Sequence, residues 1–134
     1  MMMYKYMYFF SILSLCFGSC QQSSSSKQSS LNNISVQEVY AIQKTSNNPF
    51  TIIDVRTSEE FAEGHLDQAL NIDVKSDQFS TEVEKLNPSK KYILYCRSGK
   101  RSSKAYGIMT DLNFENLYNM EGGYLKYKDD ILNN

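Results

Sequence analysis

The chain has 134 residues, with 14 basic and 15 acidic side chains and a formal net charge of −1. This length suggests one domain and leaves little room for a second. No block of basic residues is present, so nucleic-acid binding has no electrostatic support. With one histidine and no paired cysteines, the chain also lacks a ligand set for a metal.

The first twenty residues have the pattern of an export signal. Residues 6–17 form an almost wholly apolar run of twelve residues that follows Lys5. A helix of that length spans about 18 Å, too short for a hydrocarbon core of about 30 Å. The segment Phe17-Gly18-Ser19-Cys20 resembles the lipobox of bacterial lipoproteins, which implies cleavage before Cys20 and lipidation of that cysteine. A plain secretory signal and an uncleaved anchor are the alternatives.

The lipoprotein interpretation divides the chain into three parts. Residues 1–19 are the predicted signal peptide, residues 20–32 a lipidated cysteine with a flexible tether rich in Ser and Gln, and residues 33–134 the folded domain. Cleavage removes Cys16 and lipidation occupies Cys20, so Cys96 is left as the one thiol and no internal disulfide forms. We therefore expect an exported, membrane-anchored protein of the cell envelope that faces the periplasm.

Helix and strand patterns alternate from Ile34 onward. Capping boxes at Ser35/Glu38 and Thr57/Glu60 predict two helix starts. The first helix is expected to run to about residue 44 and to bury Val36, Val39 and Tyr40, and the second to end at Gly64. Predicted strands cover 50–55, 69–72, 92–95 and 117–120, and the first and third of them are expected to be buried. Further helices carry Phe79, Val83 and Leu86, then Ala105, Ile108, Met109 and Leu112, and finally Tyr124, Tyr127 and Ile131.

This alternation predicts the α/β class, with a parallel sheet covered by helices on both faces. Ligands of such sheets bind at the carboxyl ends of the strands. Cys96 directly follows a predicted strand and precedes a predicted helix. The pattern therefore places Cys96 where a ligand is expected.

The segment Cys96-Arg97-Ser98-Gly99-Lys100-Arg101-Ser102 carries the chemistry. Thiolate is the reactive form of cysteine, and nearby cations and a helix N-terminus lower the pKa of the thiol. Gly99 permits a tight bend whose N–H groups turn inward as a nest for anions. We expect Cys96 to be a nucleophile and residues 97–102 to bind an anionic substrate, with Arg97 and Arg101 as bidentate donors.

This segment resembles the active-site loop of the rhodanese family, in which a cysteine carries sulfur as a persulfide. Asp54-Val55-Arg56 with Glu60-Phe61 and Gly64-His65-Leu66 resembles the first signature of the family, and Glu121-Gly122-Gly123 resembles its last. Together the motifs span about residues 34–131. Tyr127 stands where the family often has Trp.

The resemblance implies a single rhodanese-like domain with a central parallel sheet. It also implies transfer of sulfane sulfur from a donor such as thiosulfate to cyanide or a thiol through a Cys96 persulfide, without a cofactor. Four residues separate Cys96 from Arg101, whereas the related phosphatases have five. The shorter loop is expected to suit sulfur rather than a phosphate monoester.

Four other residues of the first signature are expected to be structural: Asp54, Arg56, Glu60 and His65. Arg56 and Glu60 are close enough in sequence to pair and to hold the helix against the end of the sheet. His65 follows a glycine that ends a helix, where a structural histidine is the more common case.

Alternative interpretations apply to the site and to the whole domain. Cys96 could be a buried structural cysteine, the two arginines could form a solvated basic face, and Lys100 could point to solvent. The domain could be a binding module of the same fold without chemistry. It could also be a thiol redox sensor or reductase, although it lacks a resolving cysteine. The sequence does not define the oligomeric state.

Overall fold

A computed structural model describes residues 30–133 of the chain. Its strands are β1 (Asn33–Ile34), β2 (Phe50–Asp54), β3 (Leu70–Asn71), β4 (Lys91–Tyr95) and β5 (Asn116–Met120). Its helices are α1 (Val36–Gln43), α2 (Ser58–Glu63), α3 (Phe79–Val83), α4 (Lys100–Asp111) and α5 (Gly123–Tyr127), followed by a π-helical segment, Lys128–Leu132.

The five strands form one parallel sheet in the order β1-β5-β4-β2-β3. β4 is therefore the central strand, and all five of its residues pair with β2. Helices flank the sheet, which confirms the predicted α/β class with a central parallel sheet.

Two hydrophobic clusters fill the spaces between the sheet and its helices. Successive strand residues point to opposite faces, so Leu94 packs in one cluster with Met109 of α4, and Ile93 packs in the other with Val39 of α1. Both faces of β4 are thereby buried. Packing on both faces fixes the position of a functional group at the end of this strand.

The local signals at the helix starts are confirmed. Ser35 and Thr57 are N-caps, and each forms a capping box with the glutamate three residues later. The burial of Tyr40 was predicted wrongly, because this side chain is 36% exposed and its ring lies under the Lys44 ammonium at 5.0 Å.

The structure differs from the sequence prediction at the start of α4 and in the presence of β1. α4 begins at Lys100, so Arg101 and Ser102 lie in its first turn rather than in a loop. Gly99 adopts the left-handed φ of 106°, and its carbonyl accepts a hydrogen bond from the Ser103 N–H at 3.1 Å. β1 was not predicted, since two residues are too few to show a period.

The N-terminal predictions fall outside the described part of the chain. These are the signal peptide of residues 1–19, the lipidation of Cys20 and most of the tether. Within residues 30–133, no helix combines the length and the apolar character that crossing a membrane requires.

Candidate active site

Cys96 directly follows the central strand, and its side chain is 1% exposed. The Gly99 N–H donates a hydrogen bond to Cys96 Sγ at 3.1 Å. Ser102 Oγ lies 3.5 Å from the same sulfur. The carboxyl end of β4 and the first turn of α4 thus enclose one sulfur atom with polar hydrogens.

Opposing effects act on the pKa of the Cys96 thiol. Burial raises it, whereas hydrogen bonds from the Ser102 hydroxyl and from the backbone N–H groups of Ser102, Ser98 and Gly99 lower it. The hydrogen bonds prevail, so the pKa of Cys96 lies below that of an ordinary thiol. The direction agrees with the sequence prediction, and the N–H groups around Gly99 that it named are among the donors, together with the Ser102 hydroxyl.

The N-terminus of α5 holds the base of the loop. The Tyr124 N–H donates to the Cys96 carbonyl at 2.8 Å, and the Leu125 N–H donates to the Arg97 carbonyl at 3.0 Å. Gly123 directly precedes Tyr124 and has a φ of 59°, and a Cβ there would be 2.5 Å from the Cys96 carbonyl oxygen. A glycine is therefore required at position 123, because the backbone of α5 closely approaches that of Cys96 and Arg97.

Arg101 forms a bidentate ion pair with Glu60. Arg101 Nη1 lies 2.6 Å from Glu60 Oε2, and Nη2 lies 2.7 Å from Oε1. Hydrogen bonding to Arg101 lowers the pKa of Glu60 to about 2, against the opposing effect of burial. The predicted pairing of Arg56 with Glu60 is therefore wrong, because the carboxylate of α2 points across the site to α4.

Arg56 pairs instead with Asp54 in a buried position. Arg56 Nε lies 2.9 Å from Asp54 Oδ1, and Nη2 donates to the Gly64 carbonyl at 2.7 Å. The guanidinium also lies 4.3 Å from the centre of the Tyr124 ring. These contacts join the end of β2 to the end of α2 and to α5, which fits the expected supporting role.

The remaining predicted residues lie at the mouth of the site or away from it. Arg97, Ser98 and Lys100 are exposed on the loop and at the start of α4. His65 is also exposed; its ring stacks on Phe61 at 3.7 Å, and Nδ1 lies 2.9 Å from the Phe61 carbonyl. The structure therefore brings Cys96, Gly99, Arg101 and Ser102 together, whereas the contacts of His65 are with Phe61.

Asn119 of β5 was missed by the sequence prediction. It is 4% exposed, accepts a hydrogen bond from Ser102 Oγ at 2.6 Å and donates to Asn33 Oδ1 at 3.0 Å. Its only sequence signal is a polar residue within the predicted strand 117–120.

A cleft elsewhere in residues 30–133 lies away from Cys96. This cleft of about 500 Å³ lies at the amino ends of β2 and β3, where Asn48, Phe50 and Gln68 line it, and so it is remote from the thiol. Within residues 30–133, no three His, Cys, Asp or Glu residues cluster in a way that could hold a metal ion.

Comparison with known proteins agrees with this architecture. The family described as Rhodanese-like domain matches residues 35–130. "Putative thiosulfate sulfurtransferase, mitochondrial" of Schizosaccharomyces pombe is 30% identical over 75% of this chain and 82% of its own length. A tRNA uridine(34) hydroxylase of Erwinia tasmaniensis is 38% identical over 56% of this chain, but the match spans only 23% of that enzyme.

Solved structures show the same fold. A rhodanese-like domain protein from Staphylococcus aureus has a TM-score of 0.67 and 28% identity, covering 75% of this chain and 95% of its own. A rhodanese-related protein from Thermoplasma volcanium has a TM-score of 0.65 and 25% identity, covering 75% and 93%.

Proposed function

The chain belongs to the rhodanese-like domain family, and from this premise we propose that it is a sulfurtransferase that carries sulfane sulfur as a persulfide on Cys96. The observation that carries the proposal is the surroundings of one sulfur atom. Cys96 Sγ is buried at the N-terminus of a twelve-residue helix, with a backbone N–H at 3.1 Å. Such a setting stabilises an anionic sulfur in the same way as an oxyanion hole stabilises oxygen.

In the first half-reaction, the Cys96 thiolate attacks the outer sulfur of thiosulfate. A bond forms between the two sulfur atoms, and the bond from the outer sulfur to the sulfonate breaks. Sulfite leaves with the electron pair, and Cys96 holds a persulfide anion. The N–H groups that face the thiolate are in place to bind the displaced charge.

In the second half-reaction, a nucleophilic acceptor attacks the outer sulfur of the persulfide. Cyanide leaves as thiocyanate, or a thiolate leaves as a new persulfide, and the Cys96 thiolate is regenerated. No electron is gained or lost overall, so the cycle needs no cofactor.

We propose that Arg97 and Lys100 supply the mobile cationic contacts to the donor. Both side chains are exposed at the mouth of the site. Arg101, in contrast, is held by two hydrogen bonds to Glu60. It contributes positive charge at a fixed position, and the N–H groups of Ser98, Gly99 and Ser102 complete the cradle.

The experiment is a pair of assays on the wild type and Cys96→Ser. Incubation with thiosulfate is expected to add about 32 Da, one sulfur atom, to the wild type, and reductant is expected to remove it. Cyanide is then expected to yield thiocyanate, and Cys96→Ser is expected to give neither product. A wild-type protein that neither gains the mass nor forms thiocyanate would behave as a binding module or a redox protein.

Phosphatase chemistry is the specific competitor to exclude. Four residues separate Cys96 from Arg101, and the Arg101 guanidinium is occupied by Glu60. We therefore expect no release of phosphate from aryl phosphates under conditions in which thiosulfate is consumed. Hydrolysis of aryl phosphate without transfer of sulfur would reject the assignment.

For the location of the protein, we propose a lipid anchor on Cys20 with the domain on a flexible tether. The support comes from the sequence: a short apolar run ends at Gly18-Ser19-Cys20, and a polar segment follows. The donor and acceptor would then meet the protein in the cell envelope.

A further inference from the structure

A chain of hydrogen bonds connects the reactive sulfur to the protein surface. It starts at Cys96 Sγ, continues through Ser102 Oγ at 3.5 Å and Asn119 Oδ1 at 2.6 Å, and ends where Asn119 Nδ2 donates to Asn33 Oδ1 at 3.0 Å. Ser102 and Asn119 are buried, whereas Asn33 is exposed. The four residues come from β1, β5, the end of β4 and α4, so these hydrogen bonds connect three neighbouring strands and one helix.

The Ser102 hydroxyl is shared between competing acceptors. It has a single proton, and three acceptors lie within its reach: Asn119 Oδ1 at 2.6 Å, the Gly99 carbonyl at 3.0 Å and Cys96 Sγ at 3.5 Å. When the hydroxyl donates to Asn119, it cannot donate to the sulfur. The direction of this proton therefore decides how well Ser102 stabilises charge on Cys96.

An asparagine amide can reverse that direction by rotation about χ2, which keeps the outline of the side chain. Its oxygen accepts and its nitrogen donates, and a half-turn exchanges the two. After half-turns of both amides, Asn33 donates to Asn119, Asn119 donates to Ser102 and Ser102 donates to Cys96. The Asn33–Asn119 and Asn119–Ser102 bonds are kept with the opposite polarity, and the Ser102 hydroxyl is freed to donate to the sulfur. Asn33 is exposed, so water can satisfy its remaining amide group in either state.

We propose that Asn119 is a positioning residue that sets the direction of the Ser102 hydroxyl. Asn119 Oδ1 accepts the hydrogen bond from Ser102 Oγ while Cys96 is a neutral thiol. When the sulfur becomes a thiolate, the amide rotates and Asn119 Nδ2 donates to Ser102 Oγ, which then donates to the sulfur. The same donor arrangement serves the persulfide anion, and only this last part rests on the proposed function.

Asn119 is separable from the charged groups of the site. Arg101 interacts electrostatically with Cys96, and Glu60 neutralises much of its charge. Further charged groups near the sulfur are Arg97 and Lys100 at the mouth, the Asp54–Arg56 pair at the end of β2, and Asp73, which interacts electrostatically with Arg101. Variants at position 119 leave all seven of these residues unchanged, so a shift in titration is attributable to the hydrogen-bond chain.

The test measures the rate of alkylation of Cys96 against pH in the full chain, with the modified peptide quantified by mass spectrometry. In Asn119→Asp, the carboxylate accepts but cannot donate. The hydroxyl is then held away from the sulfur, and the alkylation midpoint is expected to rise by about one to two pH units, the effect of one hydrogen bond to a charged group. In Asn119→Leu, which neither accepts nor donates, the midpoint is expected to stay near that of the wild type.

Repeating both variants in a Ser102→Ala background separates the effect of the hydrogen-bond chain on the alkylation midpoint from other causes. Without the hydroxyl, the Asn119→Asp shift is expected to fall to less than half. An Asn119→Asp shift that is undiminished by Ser102→Ala would mean that the new charge acts through space. An equal shift in Asn119→Leu would mean that packing was lost. Either result overturns the proposal, as does the absence of a shift in Asn119→Asp. Because alkylation requires no transfer of sulfur, the result stands apart from that of the thiosulfate assay.

Discussion

Replacing Glu60 with Gln isolates the ion pair that links α2 to α4. Glutamine keeps the size of the side chain and can still serve at the third helical position of a capping box. It removes the charge that receives both Arg101 nitrogens at 2.6 and 2.7 Å. We expect Glu60→Gln to destabilise the fold and to leave the Arg101 charge uncompensated beside the sulfur.

The magnitude follows from the pKa of Glu60. A change from the ordinary 4.5 to about 2 corresponds to about 3 kcal/mol of preferential stabilisation of the carboxylate. The two side chains remain 28% and 22% exposed, so solvent screening reduces the contribution of the pair. We expect a loss of about 1 to 2 kcal/mol in the free energy of unfolding at neutral pH.

The pH dependence has a defined sign. The folded-state pKa of Glu60 lies below its unfolded value, so its contribution to stability is complete above the unfolded pKa. It is then lost as the pH falls from about 5 through about 2. The free energy of unfolding of the wild type is expected to approach that of Glu60→Gln over this interval.

Urea unfolding at about pH 7 and about pH 2.5 measures both effects. Glu38→Gln is the matched control, because Glu38 also stands third in a capping box, and within residues 30–133 its carboxylate bonds only to Ser35. If Glu60→Gln costs no more than Glu38→Gln, or if its difference from the wild type is the same at both pH values, the reasoning about the ion pair is refuted.

Three further predictions concern the loop and the anchor. Arg97→Ala is expected to raise KM for thiosulfate about tenfold with little change in kcat. The control is Lys104→Ala, at an exposed lysine on α4, which is expected to leave both constants unchanged. Equal effects of the two substitutions on KM would contradict donor binding by Arg97. Gly123→Ala is expected to lose about 2 kcal/mol or more in urea unfolding, and Gly107→Ala, where a Cβ meets nothing within 4 Å, to be neutral or stabilising. Cys20→Ala is expected to release the protein from the membrane fraction or to block its processing, and unchanged fractionation with an unchanged mass would reject the anchor.

The sequence predicted features that short segments determine. The capping boxes at Ser35 and Thr57 are satisfied within four residues. The buried strands follow from runs of apolar side chains, and their alternation with helices is enough to predict a parallel sheet. The position of Cys96 after a strand and before a helix came from the same local pattern.

Contacts between distant segments could not be predicted in this way. Glu60 lies four residues from Arg56, yet it binds Arg101, which is 41 residues away. That choice depends on how α2 and α4 are oriented after the sheet has formed. Asn119 is similar, because a polar residue in a buried strand acquires a role only when β1 and α4 bring Asn33 and Ser102 to it.

The attachment of the loop to α5 has a consequence for its evolution. The shape of the loop depends on main-chain atoms: the carbonyls of Cys96 and Arg97 are bound by α5, and the Gly99 N–H faces the sulfur. The exposed side chains at positions 97, 98 and 100 take no part in those bonds. These three positions can therefore vary as a set, so the preference for a donor or acceptor can diverge while the frame that activates the thiol is inherited intact.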